Sequence, residues 1–340
     1  MAGSRSVLTR RLEGITDRLP GVREHVPSIG HRLPFYRRLT AGQQFAYKLM
    51  APALAMMFVV HLVPIVWGVT ISFMGLENEF ISRWYDAPFV GLENFQDTLG
   101  SSTPVGEDFR NSLQKTVLFA SGTLVVTYVL GLGAALVLNQ KFKGRFIART
   151  LLLLPWVAPA VVSLYIWRMM FQAQSGLINN VLLDLGLIGE TIYWLRGEHT
   201  MVALILAHSW TQFPLVMIFL YAGLQSIPQQ LYEAAAIDGA GRWGKFRYVT
   251  MPQLKPVSAV IVLLMFLWTM INFTAPYIVL GPAPPDEAYV AILFIENYAF
   301  QYNAFGRGAA MSVVLFVLAM ALALLYYRFL FDDETTGTGA

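Results

Sequence analysis

Cysteine is absent from this 340-residue chain, and charged residues make up only 13% of it. The absence of cysteine excludes disulfides, thiolate metal sites and cysteine nucleophiles. Soluble domains contain about 25% charged residues, so a chain that is 56% hydrophobic is suited to a different solvent. The net charge of +3 is too small to indicate a nucleic-acid partner. Residues 1–49 also lack the apolar run that a cleaved signal peptide needs.

Six apolar segments of about 20 to 25 residues predict membrane-spanning helices. Because hydrocarbon offers the backbone no hydrogen-bond partners, such segments cross a membrane as helices. We therefore predict an all-α membrane protein with six transmembrane helices in a membrane domain at 50–330, flanked by a basic tail (1–49) and a short tail (331–340). The predicted spans are 50–74, 113–138, 150–171, 200–224, 257–280 and 308–330.

The distribution of basic residues predicts the orientation. Of the 24 Lys and Arg residues, 18 lie in residues 1–49, 139–149, 225–256 and 328–340. The loops 75–112, 172–199 and 281–307 hold only four. Cytoplasmic loops of membrane proteins carry an excess of Lys and Arg. The sequence therefore predicts a multi-pass protein of the cell membrane with both termini in the cytoplasm.

Ionisable side chains are scarce inside the predicted spans. No Asp, Glu, Lys or Arg lies near the middle of a span, and only His61 and His208 are titratable at depth. Ion-driven carriers keep ionisable groups in the membrane, which disfavours a self-contained carrier or channel. A membrane enzyme would need paired carboxylates, a metal set or a nucleophile beside a base, and neither His has such a partner at suitable spacing. Both classes remain as alternatives.

The loop between the fourth and fifth spans carries the clearest signal. Ser226 and Pro228 suit a helix start, and residues 229–237 are good helix formers. Asp238-Gly239 is a turn dipeptide in which glycine can take a positive φ. A second short amphipathic helix, with Trp243, Phe246 and Val249 as its apolar residues, is expected to end at Pro252. Two short helices around a sharp turn predict a compact knob; the alternative is a basic loop lying on anionic headgroups.

The same loop contains an incomplete phosphate-binding motif. Gly239, Gly244 and Lys245 have the spacing of G-x-x-x-x-G-K. Phe246 stands where Ser or Thr would hold magnesium, and no strand precedes the motif. We therefore predict that this chain does not bind ATP there.

Residues 233–256 resemble the coupling motif of permeases from binding-protein-dependent ATP-binding-cassette (ABC) importers. The match holds in order and spacing, with Val249 and Met251 as mild apolar exchanges. The chain resembles the sugar-importing branch, of the maltose and glycerol-phosphate type, over roughly residues 44–330, with a departure at 280–285. The motif residues are Glu233, Ala234, Ala235, Asp238, Gly239, Ala240, Phe246, Pro252 and Pro256.

The resemblance implies a type I ABC importer permease fold with a cytoplasmic coupling helix. Such a subunit forms half of a translocation pore for a sugar or related polyol and is not itself an enzyme. It holds no cofactor, because ATP and Mg²⁺ are bound by a partner ATPase. The implied partners are a second homologous permease, a dimer of ABC ATPase subunits, an extracytoplasmic solute-binding protein and the lipid bilayer, without nucleic acid. Glu233 would pair with basic groups of the ATPase, and Gly239 would form the turn that inserts into it.

Polar and aromatic side chains of spans four and five are the candidate substrate path. Amides bond sugar hydroxyls and rings stack on the apolar face of a sugar, so these groups suit such a solute. The alternative is that they only join helices by interhelical hydrogen bonds. The candidates are His208, Trp210, Thr211, Gln212, Thr269, Asn272, Phe273 and Tyr277.

Overall fold

The computed structural model describes residues 40–100 and 103–335. The chain divides into two compact units, Met1–Val66 and Trp67–Ala340. Most of the predicted basic tail at 1–49, and the end of the predicted tail at 331–340, lie outside the described residues. The described part is mainly helical, and its extended backbone pairs only in an isolated bridge between Met74 and Phe89.

The first helix begins earlier than the apolar segment that predicted it. Thr40 caps α1 (Ala41–Met57): its hydroxyl accepts a bond from the Gln43 amide, and the Gln43 side chain accepts one from the Thr40 amide. This reciprocal arrangement satisfies two amides that a helix start otherwise leaves free. A π-helical turn (Phe58–Leu62) then leads into α2 (Val63–Ile71). Polar residues thus extend the helix upstream of residue 50.

The second span is the long helix α4. After a 3₁₀ segment (Asn78–Asp86) and the short α3 (Glu93–Leu99), Thr103 caps α4 (Pro104–Asn139) by accepting a bond from the Gly106 amide. At 1.5 Å per residue, the 36 residues of α4 extend about 54 Å, which exceeds the roughly 30 Å of hydrocarbon. The helix therefore continues beyond the apolar segment 113–138.

The third predicted span, 150–171, is not one helix. The structure has α5 (Arg145–Val157) and α6 (Ala160–Met170), which meet at a bend of 90°. The break falls at Ala158, whose backbone is extended (φ −63°, ψ 144°) because it precedes Pro159. The prediction of a continuous helix is therefore wrong at this point. Within the described residues, five continuous helices are long and apolar enough to cross a membrane, and the bent pair makes six if it counts as one span.

The fourth span forms the centre of the second unit. A short α7 (Leu177–Asp184) precedes α8 (Thr200–Ser226), which is the most buried of the candidate spans and packs along α4. The contact is close because α4 has a glycine there: a Cβ on Gly131 would lie 2.8 Å from the Val216 side chain. Pro214 lies inside α8, which continues through it.

The fifth span differs most from its prediction. After α9 (Gln229–Ile237), a single helix of 29 residues runs from Arg242 to Met270, made of α10 (Arg242–Lys245), a π-turn (Phe246–Thr250) and α11 (Met251–Met270). The expected helix end at Pro252 is therefore wrong, and so is the continuous span 257–280.

The π-turn explains why Pro252 does not stop this helix. The amide of Met251, directly before the proline, donates to the carbonyl of Phe246, five residues back. In a π-turn, an amide donates to the carbonyl five residues back instead of four. This shift in hydrogen-bond partners allows the proline to follow without ending the helix. The same arrangement precedes Pro64, where the Val63 amide donates to the Phe58 carbonyl.

Three further α-helices complete the described part of the second unit. Residues 271–273 break the helical path before α12 (Thr274–Leu280). A short α13 (Ala291–Glu296) and a π-turn then lead into α14 (Phe305–Thr335), which extends past the predicted span end at residue 330.

Candidate functional site

The predicted coupling helix exists with its predicted limits. Pro228 precedes α9 with φ −60° and ψ 132°, and α9 covers Gln229–Ile237. Ser226 has a different role from the predicted one, because its hydroxyl donates to the Gly223 carbonyl (2.8 Å) at the end of α8. The helix start thus depends on the proline, whose fixed φ is suited to the residue before a helix.

Gly239 ends α9 in the left-handed conformation, with φ +82°. Its amide donates to the Ala236 carbonyl (3.1 Å), and the Ala240 amide donates to the Ala235 carbonyl (2.8 Å). This pair of bonds is the Schellman termination, which satisfies carbonyls at a helix end. Glycine suits the position because a side chain is disfavoured at this φ. The motif residues Ala235 and Ala240 therefore contribute through their backbone.

The loop presents large apolar side chains to its surroundings. Ile237 is 89% exposed, Trp243 73% and Tyr248 78%. Glu233 and Asp238 are exposed beside them, and no ion pair among the described residues contains either. Exposed aromatic and aliphatic groups among charged groups are typical of a protein interface. This surface is suited to docking another protein.

Tyr232 attaches the coupling helix to the start of the fifth span. Its hydroxyl lies 3.1 Å from the Thr250 hydroxyl, which is in the π-turn. Its ring packs with Val249 on the buried cluster that contains Leu224 and Leu254. The sequence analysis did not identify Tyr232 or Thr250, because a contact between residues 18 apart leaves no local pattern. The helix and the fifth span therefore meet through a hydrogen bond and a packed core.

The remaining motif residues lie in the fifth helix rather than in a separate knob. Phe246 begins the π-turn, and its ring lies 5.4 Å from that of Trp243. Pro252 and Pro256 lie in the first turns of α11, both exposed. The motif thus covers three consecutive features: α9 with Glu233, Ala234 and Ala235, the turn Asp238-Gly239-Ala240, and the start of the fifth span.

Three of the candidate path residues lie inside the helical bundle. His208 and Thr211 of α8 are each 3% exposed, and the His208 ring packs against Phe119 of α4 at 5.4 Å. The Thr211 hydroxyl donates to the His208 carbonyl (2.8 Å), and the Thr269 hydroxyl donates to the Met265 carbonyl (2.8 Å). Each of these bonds lies within a single helix, so the two hydroxyls are satisfied by their own backbone and do not join neighbouring helices.

The other candidates are partly or largely exposed. Trp210 is 44% exposed and Phe273 is 37% exposed, while Gln212 and Tyr277 are partly buried. The Phe273 and Tyr277 rings stack at 4.8 Å. Asn272 accepts a hydrogen bond from the Ala275 amide (2.8 Å), so its side chain caps α12. Trp268, which is 50% exposed, is a further aromatic group here that sequence reasoning missed.

A sequence profile described as "Binding-protein-dependent transport system inner membrane component" matches residues 127–332. This range contains the whole coupling loop and four of the six candidate spans. The chain belongs to this family. The expected membership, and with it the permease function, is therefore confirmed.

Two curated relatives of the permease cover most of its length. The trehalose/maltose transport system permease protein MalF of Thermococcus litoralis is 32% identical over 286 residues, which is 84% of this chain and 93% of the relative. The inner membrane ABC transporter permease protein YcjO of Escherichia coli is 33% identical over 293 residues, or 85% of this chain and 96% of the relative. The permease thus resembles ABC transporter subunits over nearly their full length.

A solved structure agrees with the fold of the permease. A chain of a bacterial ABC transporter involved in the import of the acidic polysaccharide alginate superimposes with a TM-score of 0.71 and 21% identity, covering 85% of this chain and 96% of that one. The predicted ABC importer permease fold, all-α and with a coupling helix, is confirmed. The break in the third span and the continuation of the coupling loop into the fifth helix (Arg242–Met270) are details that the sequence did not predict.

Proposed function

We propose that this permease forms one half of the pore of an ATP-driven importer, with a second homologous permease subunit as the other half, and that its cargo is a sugar or a related polyol. The relative from Thermococcus litoralis is a trehalose/maltose permease, which supports this cargo class. The exposed Trp210 and Phe273 and the partly buried Tyr277 support it further, because aromatic rings stack on the apolar faces of sugars.

The exposed coupling loop is the observation that carries the proposal. Its turn at Gly239 presents Glu233, Asp238 and the 89% exposed Ile237 on a short rigid element. In the proposed mechanism this element docks on one subunit of a separate dimer of ABC ATPases, which binds ATP and Mg²⁺. Glu233 pairs there with basic groups of the ATPase. Movement of the ATPase is then transmitted through a packed element that moves as a rigid body.

The orientation follows from the basic residues. Both termini and the coupling loop lie in the cytoplasm, and the loops 75–112, 172–199 and 281–307 lie outside. An extracytoplasmic solute-binding protein delivers the cargo to that outer side. The bilayer of the cell membrane surrounds the six spans, and nucleic acid has no role.

Thiol labelling and ATP hydrolysis together test this function. The chain contains no cysteine, so Glu233→Cys introduces a unique thiol on the coupling loop. In membranes without the ATPase, where nothing covers the loop, we expect a membrane-impermeant maleimide to label it in inside-out vesicles and not in intact cells. We also expect the purified complex, reconstituted with its binding protein, to hydrolyse ATP faster when its sugar is added. Labelling from outside the cell, or solute accumulation by this chain without an ATPase, would contradict the proposal.

A further inference from the structure

A cavity of about 310 Å³ lies beside the segment that joins α6 to α8. Its walls are residues 171–175, at the end of α6, and residues 193–196, just before α8. It contains none of the coupling residues and none of the candidate path residues. In the proposed orientation, both walls are on the outer side of the membrane, where an arriving solute first meets the permease.

We propose that this cavity is an outer binding site for a sugar unit of the imported solute. It holds that unit before the solute enters the pore. The proposal rests on the proposed function, since it requires both the outward orientation of the loop 172–199 and sugar as the cargo.

The cavity is built on a buried asparagine that holds both walls. Asn179 is 1% exposed. Its amide nitrogen donates to the carbonyls of Ala173 and Ile192, each at 2.9 Å, and its oxygen accepts from the Trp194 indole at 2.9 Å. One side chain thus joins the first wall to the second. A site that is formed before its ligand arrives avoids part of the ordering cost of binding.

The floor and one edge of the cavity are aromatic. Phe171 is 1% exposed, and its ring lies 5.7 Å from the ring of Trp194. Tyr193 is 62% exposed, so its ring is free to stack on a ligand and its hydroxyl is free to bond one. Sugars combine an apolar ring face with hydroxyl edges, and Tyr offers both complementary surfaces.

The rim supplies hydrogen-bonding groups of the type that sugar hydroxyls need. Gln172, Gln174 and Ser175 are exposed there, and their amide and hydroxyl groups both donate and accept. Arg196 is the one charged residue among those that line the cavity. Its guanidinium donates to hydroxyls or to the carboxylate of an acidic sugar. The site is therefore suited to neutral or acidic sugars and not to cationic solutes.

The size of the cavity limits what it holds. Small-molecule sites occupy about 300 to 1,000 Å³, so this cavity is at the lower end of the range. It therefore accommodates one or two sugar units, and a longer oligosaccharide would extend beyond it.

A series of aromatic contacts joins the cavity floor to α8. The Phe171 ring packs on Trp167 at 5.4 Å, and Trp167 packs on Trp210 at 6.2 Å. Trp210 is the exposed candidate path residue of the fourth span. The cavity and that part of the path thus share one packed aromatic cluster, which places the site next to the route that the solute takes.

Cysteine protection in the assembled complex tests this site. Gln174→Cys places the only thiol of this chain on the rim, and Leu187→Cys is the matched control, since Leu187 is 68% exposed in the same loop and does not line the cavity. Labelling is measured on the permease subunit. The permease–ATPase complex is labelled with an impermeant maleimide, without the binding protein, in the presence of maltose, trehalose or glucuronate. We expect at least one of these sugars to slow labelling of Gln174→Cys several-fold and to leave Leu187→Cys unchanged.

A second substitution separates sugar binding from other causes of protection. Tyr193→Ala in the Gln174→Cys background should abolish the protection, and Tyr193→Phe should retain most of it because the ring remains. Equal labelling with and without all three sugars, equal protection at both cysteines, or protection that survives Tyr193→Ala would each overturn the site. Stimulation of ATP hydrolysis by these sugars is measured separately with the binding protein, and its absence would count against the proposed function instead.

Discussion

Substituting Gly239 by Val tests the coupling turn through its backbone conformation. Gly239 has φ +82°, and a Cβ built on it meets no atom within 4 Å. The valine side chain therefore fits without a steric clash inside this chain, and the penalty is conformational. Residues other than glycine lose about 1–2 kcal/mol in the left-handed region, and a β-branched residue is at the unfavourable end.

The alternative to this strain is to open the turn. Opening releases the two bonds that end α9, from the amides of Gly239 and Ala240, each worth about 0.5–1.5 kcal/mol net. The less costly of the two routes sets the penalty, so the native turn loses about 1–2 kcal/mol relative to other loop conformations. This lowers the equilibrium constant between them by a factor of about 5–30. Because the turn is exposed and the buried clusters are untouched, the chain should still insert and assemble.

Uptake and sugar-stimulated ATP hydrolysis in proteoliposomes measure the effect. We expect both to fall for Gly239→Val in proportion to the population of the native turn, with a factor of about 5–30 as the upper limit. Gly239→Asn is the size-matched control, since asparagine tolerates the left-handed region, and it should retain most of the activity. Gly241→Val is the positional control, because Gly241 has φ −71° and open space around its Cβ. Equal loss in Gly239→Val and Gly239→Asn would refute the conformational reasoning, and normal uptake by Gly239→Val would refute the docking model.

Three further substitutions probe the contacts around the loop and in the core. Tyr232→Phe removes the hydroxyl that meets Thr250 and should lower the free energy of unfolding by about 0.5–1.5 kcal/mol; uptake per ATP hydrolysed should fall, and an unchanged ratio would contradict the proposed connection to the fifth span. Glu233→Gln keeps the shape of the side chain and removes its charge, so less ATPase should co-purify with the variant, and high salt should not reduce that amount further. If high salt leaves the amount of ATPase that co-purifies with the wild type unchanged, the ion pair is contradicted. Phe109→Ala should lower stability by about 3–5 kcal/mol, because Phe109 is fully buried against Phe294; thermal unfolding in detergent checks this, and an unchanged melting temperature would contradict it.

The coupling helix could be predicted from the sequence because its signals are local. Pro228 marks the helix start, and the dipeptide Asp238-Gly239 marks its end, so both limits of α9 agree with the structure. Each signal acts through the backbone of one or two residues, which is why no knowledge of the rest of the chain was needed.

Proline was a less reliable signal inside the membrane. Pro159 breaks the third span, because Ala158 before it is extended, whereas Pro252 and Pro256 lie within a continuous fifth helix. The difference depends on whether the neighbouring backbone finds other partners, as it does in the π-turn before Pro252. That choice depends on packing, so it could not be inferred from the prolines alone.

The sequence also could not predict which of the polar candidates are buried. His208, Thr211 and Gln212 have the spacing of one helical face, but a face can be directed at a neighbouring helix or at the path. In the structure, the His208 ring packs on Phe119, whereas Trp210, on another face of α8, is exposed. Both orientations are compatible with the same local pattern, because the partner of each face is set by α4, about 90 residues earlier in the chain.

The continuous fifth helix connects the coupling loop directly to the opposite end of the helical bundle. Its 29 residues from Arg242 to Met270 extend about 43 Å, more than the hydrocarbon thickness. One end meets the coupling helix through Tyr232. The other stops at the break 271–273, which contains Phe273, the residue that stacks on Tyr277. A separate knob would lose part of any displacement in a flexible joint, whereas a single helix transmits it along its axis. In the proposed mechanism, a movement imposed at the turn would therefore reach the aromatic pair through one rigid element.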